Sequence, residues 1–224
     1  MAQIAVTFGF TKPASTYAKL SEDAKVKLNM LAMRADVAYD ETKIEHVDAL
    51  SALFKASFEH PAKLPRDLKS EIWKNMGWQG VSPATDFRAA GFLSLENLLW
   101  LAQEKPELYR ALRHKTRGKR SEYEYPFAIA GVTLTYKLVK ILDIKQPAPT
   151  TATGACFARL IAQHEDAFEA VYAQAFDVLD QTWLEFGNAT YMDFPRVMEI
   201  TLSKLEKAMD KAQSLEDIAT SLGV

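Results

Sequence analysis

The sequence predicts an all-α fold, and three observations predict it. Beyond residue 20, every stretch with a clear hydrophobic period repeats at spacings of three and four, the helical pattern. The one strand-like alternation, over residues 5–10, is short and is broken by Gly9, Lys12 and Pro13. Serine, aspartate and proline stand where the periodic runs begin, as helix starts require. At the usual helix lengths, the 224 residues accommodate about eight to nine helices in one multi-helix domain.

Residues 1–20 read as an N-terminal arm. Ser21 is placed to cap a helix over residues 21–36, with Glu22 and Asp23 in the first turn, where carboxylates complement the helix dipole. A second helix is expected over about 41–58, with Ile44, Val47, Leu50, Phe54 and Phe58 on one face. A third is expected over 65–75, opened by Pro65 and carrying Leu68, Ile72 and Met76 at spacings of four. Residues 77–85 have no period and hold Gly77, Gly80, Ser82 and Pro83, which mark a turn. Thr85 or Asp86 is placed to cap a helix carrying Phe87, Ala90 and Gly91, and a further run after Ser94 holds Leu95, Leu98, Leu99 and Ala102. Pro106 opens a short helix that ends near Arg113.

Pro126 opens a run to residue 144 that is apolar on almost every side and reads as a buried central helix. Residues 147–153, within a Pro- and Thr-rich stretch, read as a linker between 21–146 and the helices of 154–224, all in one domain. The stripe from Phe157 through His164, Phe168, Tyr172, Phe176 and Trp183 to Phe186 predicts one long amphipathic helix ending near Gly187. Pro195 starts another, with Met198, Leu202, Leu205 and Met209 aligned. Ser214 and Asp217, spaced as a capping box, start a last short helix.

Composition narrows the function. Hydrophobic residues are 48% and charged residues 25%, so a core can form. With 27 Lys and Arg against 29 Asp and Glu, the net charge of −2 argues against nucleic acid as the main partner. The single cysteine, Cys156, leaves no internal disulfide and no CxxC metal site. No uncharged apolar run approaches the ~18 residues of a membrane span. The first residues lack a basic region before an apolar stretch, Ala2 excludes myristoylation, and the last residues are no prenylation box, so a cytoplasmic protein is expected.

The common catalytic constellations are missing. There is no P-loop pattern and no GxGxxG after a strand, and the segment His164-Glu165-Asp166-Ala167-Phe168 lacks the second histidine of a zinc-protease helix. His164 on its apolar stripe reads as a satisfied, partly buried histidine. Cys156 lies near a predicted helix start, where its thiol could be activated, but no histidine is close in sequence and a buried small hydrophobe is the preferred reading. The basic run Arg110, Arg113, Lys115, Arg117, Lys119 and Arg120 offers a peripheral contact with anionic lipid or an acidic partner. The preferred reading is a solvated loop partly neutralised by Glu122 and Glu124.

Residues 73–91 are the informative segment. Two tryptophans and three glycines in nineteen residues do not suit a plain core helix; they suggest helix, rigid turn and capped helix. Asp86 can accept from first-turn N–H groups, and Arg88 lies just beyond it. A guanidinium held there can offer its planar fork to a phosphate or carboxylate. The competing reading, which composition alone favours, is a structural salt bridge from Arg88 to Asp86 or another carboxylate.

The run Trp73, Gly77, Trp78, Gln79, Gly80, Pro83, Thr85, Asp86, Phe87, Arg88, Gly91, Leu93, Leu95 and Leu98 resembles the signature of the ELMO (engulfment and cell motility) domain family. Residues 125–135, beginning Tyr125-Pro126-Phe127-Ala128, resemble the family's second block, with Thr133 where asparagine is usual. The resemblance covers about residues 40–210. It implies an all-helical fold, in agreement with the periodicity. Val81-Ser82, Trp78 and Ala89-Ala90 depart from the usual residues around the turn.

The resemblance implies two functional branches. Stand-alone members act as GTPase-activating proteins for Arf and Arf-like small GTPases, with the arginine of the Asp-Phe-Arg segment, here Arg88, as an arginine finger. Long scaffold members work with Dock-type exchange factors on Rac. A length of 224 residues leaves no room for the scaffold modules, so the stand-alone branch is expected. On this view Asp86 fixes the helix start, Trp73, Trp78 and Phe87 hold the turn rigid, and Gln79 contacts the GTPase or its water. GTP and Mg²⁺ belong to the partner, so no cofactor is expected here. The alternative is a docking module that binds a GTPase or exchange factor without accelerating hydrolysis.

Overall fold

Chain order in the computed structural model, which describes residues 17–58 and 67–224, begins with α1 (Glu22–Ala35), α2 (Ile44–Ser57) and two 3-10 helices (Glu71–Met76 and Pro83–Ala89). Then come α3 (Gly91–Glu104), α4 (Pro106–His114), α5 (Phe127–Ile141), α6 (Ala152–Gln163) and α7 (Ala167–Glu185). A short 3-10 turn (Tyr191–Asp193), α8 (Phe194–Met209) and α9 (Leu215–Leu222) follow. Nine α-helices and no strand occur among the described residues. The all-α expectation holds. The strand-like residues 5–10 and the rest of the expected arm before residue 17 lie outside the described residues.

Local chemistry sets several helix ends as expected. The Ser21 hydroxyl accepts the Ala24 N–H at 3.2 Å and starts α1. Pro106 and Pro195 occupy first-turn positions of α4 and α8, where a missing N–H costs nothing. Ser214 and Asp217 form the capping box of α9, with the Asp217 carboxylate accepting the Ser214 N–H at 3.1 Å.

Four expectations need correction. The helix expected over 65–75 does not form in its described part: Leu68 takes a positive φ of 58°, Ser70 is extended, and only a 3-10 helix follows. The reason is tertiary, since the Leu68 carbonyl is turned to accept the Trp73 indole N–H at 2.9 Å. The second helix begins at Ile44 rather than near residue 41, and Ile44 itself is exposed while Leu53 fills the core. The two runs expected around Phe87 and after Ser94 divide differently, into a 3-10 helix ending at Ala89 and an α-helix starting at Gly91. Finally, the long C-terminal stripe is two helices. His164 adopts extended geometry at the end of α6, and α7 restarts at Ala167. The polar triplet His164-Glu165-Asp166 forms the corner, and Phe157 meets Phe168 edge to face across it at 6.1 Å.

The interior is built on α3, α5 and α7. Each contributes leucine side chains with no more than a few per cent exposure, such as Leu95, Leu134 and Leu179, and α5 and α7 add buried aromatics such as Phe127 and Phe176. Burying each such side chain supplies about 1.5–3 kcal/mol. α5 lies between α3, α7 and the Pro83–Ala89 turn. α2 covers α3, and α8 and α9 cover α7. The segment between α5 and α6 is pinned by Asp143, whose Oδ2 accepts the N–H and hydroxyl groups of Thr150 and Thr151 at 2.7–3.1 Å. α6 then packs against α1. Among the described residues, no helix is long and apolar enough to cross a membrane.

Candidate functional site

The informative segment folds into a closed surface turn built on an aromatic base. Ser70 N–H donates to the Val81 carbonyl at 2.8 Å and shuts the loop at its ends. Inside it, the 3-10 helix Glu71–Met76 stops at Gly77, which takes a φ of 84°. A Cβ at Gly77 would lie 2.7 Å from Phe127 N and 2.8 Å from Pro126 Cα. Only glycine permits both that backbone and that approach. The two sequence blocks, 73–91 and 125–135, therefore meet backbone to backbone.

Trp73, Trp78 and Phe87 are all buried. Trp73 meets Trp78 edge to face at 6.3 Å, and Trp78 meets Phe87 at 5.1 Å. Edge-to-face aromatic pairs add about 0.5–1.5 kcal/mol beyond their burial. The array continues from Phe87 to Tyr39 at 4.8 Å, to His46 at 5.6 Å and to Phe92, stacked on His46 at 3.8 Å. His46 Nδ1 accepts the Asp40 N–H at 2.9 Å, which requires that nitrogen to be unprotonated. Tyr39 and His46 were missed by sequence reasoning because they sit beside or off the helical stripe.

On this base stands Arg88, with an exposed side chain. Its Nε donates to the Thr85 carbonyl at 2.7 Å. The salt bridge that composition favoured is not formed with any described carboxylate, Asp86 included. Asp86 is not a helix cap: the 3-10 helix starts earlier, at Pro83, without a side-chain cap. Its carboxylate instead accepts the Gln79 N–H at 3.0 Å and joins the turn to the helix. Burial lifts the Asp86 carboxyl above the ordinary aspartate value, and the Gln79 N–H, the Arg88 charge and the Thr85 hydroxyl act the other way.

The other predicted positions divide clearly. Gln79, Thr85 and Ala89 are exposed beside Arg88, whereas Pro83 is buried. Gly80 has no close neighbour, so space does not demand glycine there. Gly91, at a φ of 62°, brings the start of α3 against the Val37 carbonyl, which accepts the Phe92 N–H at 2.8 Å.

Two other candidates lie away from this turn in sequence. Cys156 is buried, and burial raises its thiol. His164 is half-buried at the end of α6. Among the described residues, no cluster of histidine, cysteine and carboxylate side chains could hold a metal ion.

The basic run is paired in part within the fold, while Arg110 and Lys119 stay exposed. Arg110 pairs with Glu107, and Arg117 with Asp177. Arg120 forks between Glu124 at 2.6 Å and Asp180 at 2.9 Å. Lys115 Nζ lies over the Tyr125 ring at 2.9 Å, and burial pushes its pKa down to about 7.

A family model described as the ELMO/CED-12 family matches residues 29–198 of the chain. ELMO domain-containing protein A of Dictyostelium discoideum is 33% identical over 210 residues, covering 85% of this chain and 21% of that protein. ELMO domain-containing protein C of the same organism is 29% identical over 198 residues, covering 84% of this chain and 30% of its own length. Engulfment and cell motility protein 3 of Rattus norvegicus is 27% identical over 207 residues, covering 87% of this chain and 28% of that protein. The chain thus spans between 21% and 30% of the length of these relatives.

Proposed function

The chain belongs to the ELMO/CED-12 family, and from that premise we propose that it docks on a small GTPase of the Arf or Arf-like class and that Arg88 completes the partner's GTP-hydrolysing site. The observation behind this reading is the exposed Arg88 guanidinium, tied at Nε to its own backbone and paired with no described carboxylate. Asp86 acts on it through its charge but forms no salt bridge with it.

The partner holds GTP and Mg²⁺ in its own phosphate-binding loop and orients the attacking water. During transfer, negative charge spreads over the γ-phosphoryl oxygens. A guanidinium entering in trans offers two parallel N–H donors and a full positive charge to those oxygens. Such an arginine accelerates hydrolysis by about 10³–10⁵, or about 4–7 kcal/mol of barrier. The aromatic base of Trp73, Trp78 and Phe87 keeps the supporting turn from yielding as the partner docks. Exposed Gln79 lies on the same turn, as a contact to the GTPase surface.

A second reading rests on Ala89-Ala90, which depart from the family pattern beside Arg88. In that reading the same face binds a small GTPase, or a Dock-type exchange factor acting on Rac, without accelerating hydrolysis. Engulfment and cell motility, the processes for which a relative is named, then describe the pathway. The test is single-turnover GTP hydrolysis on a panel of Arf-type and Rac-type GTPases. Acceleration of an Arf-type member supports the finger. Binding of GTP-loaded GTPase at unchanged hydrolysis supports the docking module.

A further inference from the structure

Asp86 differs from the other polar residues of the Arg88 turn in carrying a half-buried charge. Its carboxylate accepts a backbone N–H seven residues upstream, at Gln79, and so clamps residues 77–82 to the 3-10 helix Pro83–Ala89. Within that same helix, Arg88 Nε is fixed to the Thr85 carbonyl. The two hydrogen bonds share one short segment, so the pose of the guanidinium depends on the pose of the turn. Removing a carboxylate from water costs free energy, and here that cost lifts the Asp86 carboxyl despite its partners. The charge-assisted bond is the stronger tether, and it leaves Gln79 and Arg88 exposed on one rigid unit.

We infer that Asp86 is a positioning residue for Arg88, acting through the Gln79 N–H to hold the finger at the height and angle that the partner's nucleotide requires. The inference rests on the finger reading above. Asp86 touches no substrate; it removes the freedom of the turn, which otherwise would be lost at each encounter. A misplacement of about 1 Å from such a group costs about 100-fold in rate. Association depends on the whole docking face and is affected much less.

The test uses the full chain and an Arf-type GTPase that it accelerates, loaded with GTP and Mg²⁺. Single-turnover rates are measured against chain concentration, giving a maximal rate and a half-saturating concentration. Asp86→Ala is expected to lower the maximal rate about 10–100-fold, with the half-saturating concentration changed less than about threefold. Asp86→Asn, whose amide oxygen still accepts the Gln79 N–H, retains most of the rate. In an Arg88→Ala background, Asp86→Ala adds no further loss, because the two act as a unit. Hydrogen exchange at the Gln79 amide provides a readout independent of activity: slow in wild type and Asp86→Asn, fast in Asp86→Ala. Asp86→Glu, which keeps the charge but displaces the oxygens by a methylene, gives the same kinetic pattern as alanine and serves if that variant does not fold.

The inference alone is overturned if Arg88→Ala abolishes acceleration while Asp86→Ala and Asp86→Glu keep the wild-type maximal rate. It is also overturned if the Asp86 loss falls on half-saturation or persists in the Arg88→Ala background. Acceleration that survives Arg88→Ala, or is absent from every GTPase of the panel, removes the finger reading and this inference together.

Discussion

Gly77→Ala probes the junction on which the Arg88 turn stands. Two costs can be read from the geometry. A φ of 84° is a left-handed backbone, and an L-residue with a Cβ loses about 1–2 kcal/mol there. The new Cβ would also lie 2.7–2.8 Å from backbone atoms of Pro126 and Phe127, short of the 3.4 Å at which ordinary contact begins. Relief needs a shift of more than half an ångström at the start of α5. That start is anchored by Phe127, which is buried and stacked on Phe176 at 5.2 Å. Overpacking of this kind costs about 1–3 kcal/mol. Together the two give about 2–5 kcal/mol, a large part of the about 5–15 kcal/mol that holds a domain together. In a chain of this size each kcal/mol is about 2–4 °C of Tm, so a drop of about 10 °C is expected in thermal unfolding followed by circular dichroism. Gly80→Ala is the internal control: it has no positive φ and no atom nearer than 4.0 Å, and a change within about 0.5 kcal/mol is expected. Equal Tm values for the two variants would refute the reasoning.

The loop between α4 and α5 yields two more tests. Lys115 keeps a pKa of about 7 in the fold, whereas an unfolded chain holds the proton to about pH 10.4. The unfolded state therefore binds more protons between those limits, and wild-type stability rises with pH across that window. Lys115→Met removes the burden: it gains about 2–4 kcal/mol over wild type at pH 7, and the gain shrinks towards pH 10 in urea titrations. A difference that does not change with pH would contradict the buried neutral amine. Asp180 is wholly buried and receives Arg120 at 2.9 Å and the Tyr125 hydroxyl at 2.7 Å. Asp180→Ala leaves that guanidinium and hydroxyl without their buried acceptor and is expected to cost about 3–5 kcal/mol in the same titration; a loss under 1 kcal/mol would show that the network is not holding the loop.

What the sequence made legible is governed by the range of the interactions. Ser21, Pro106, Pro195 and the Ser214–Asp217 box act within one helical turn, and each sets its helix end as expected. The corner at His164 was not legible, because apolar spacing continues unbroken across it and only the Phe157–Phe168 contact shows that the chain folds back. Leu68 falls on a helical spacing, but its positive φ answers to a hydrogen bond with Trp73, not to its own propensity. Arg88 was singled out by its neighbours in sequence, but whether a carboxylate met it depended on packing that a linear reading does not contain. The same holds for Lys115: a lysine within a basic run reads as solvated until Tyr125 is seen beneath it.

Exchanging Arg88 for lysine separates charge from geometry. An ammonium keeps the positive charge but lacks the planar two-pronged donor set. The decisive measurement is the single-turnover rate of GTP hydrolysis by an Arf-type GTPase at saturating concentrations of wild type, Arg88→Lys and Arg88→Ala. The account predicts strong acceleration by wild type and a fall of at least about 1,000-fold for both variants, with binding of the GTP-loaded partner retained. Acceleration by Arg88→Ala at the wild-type rate would contradict it.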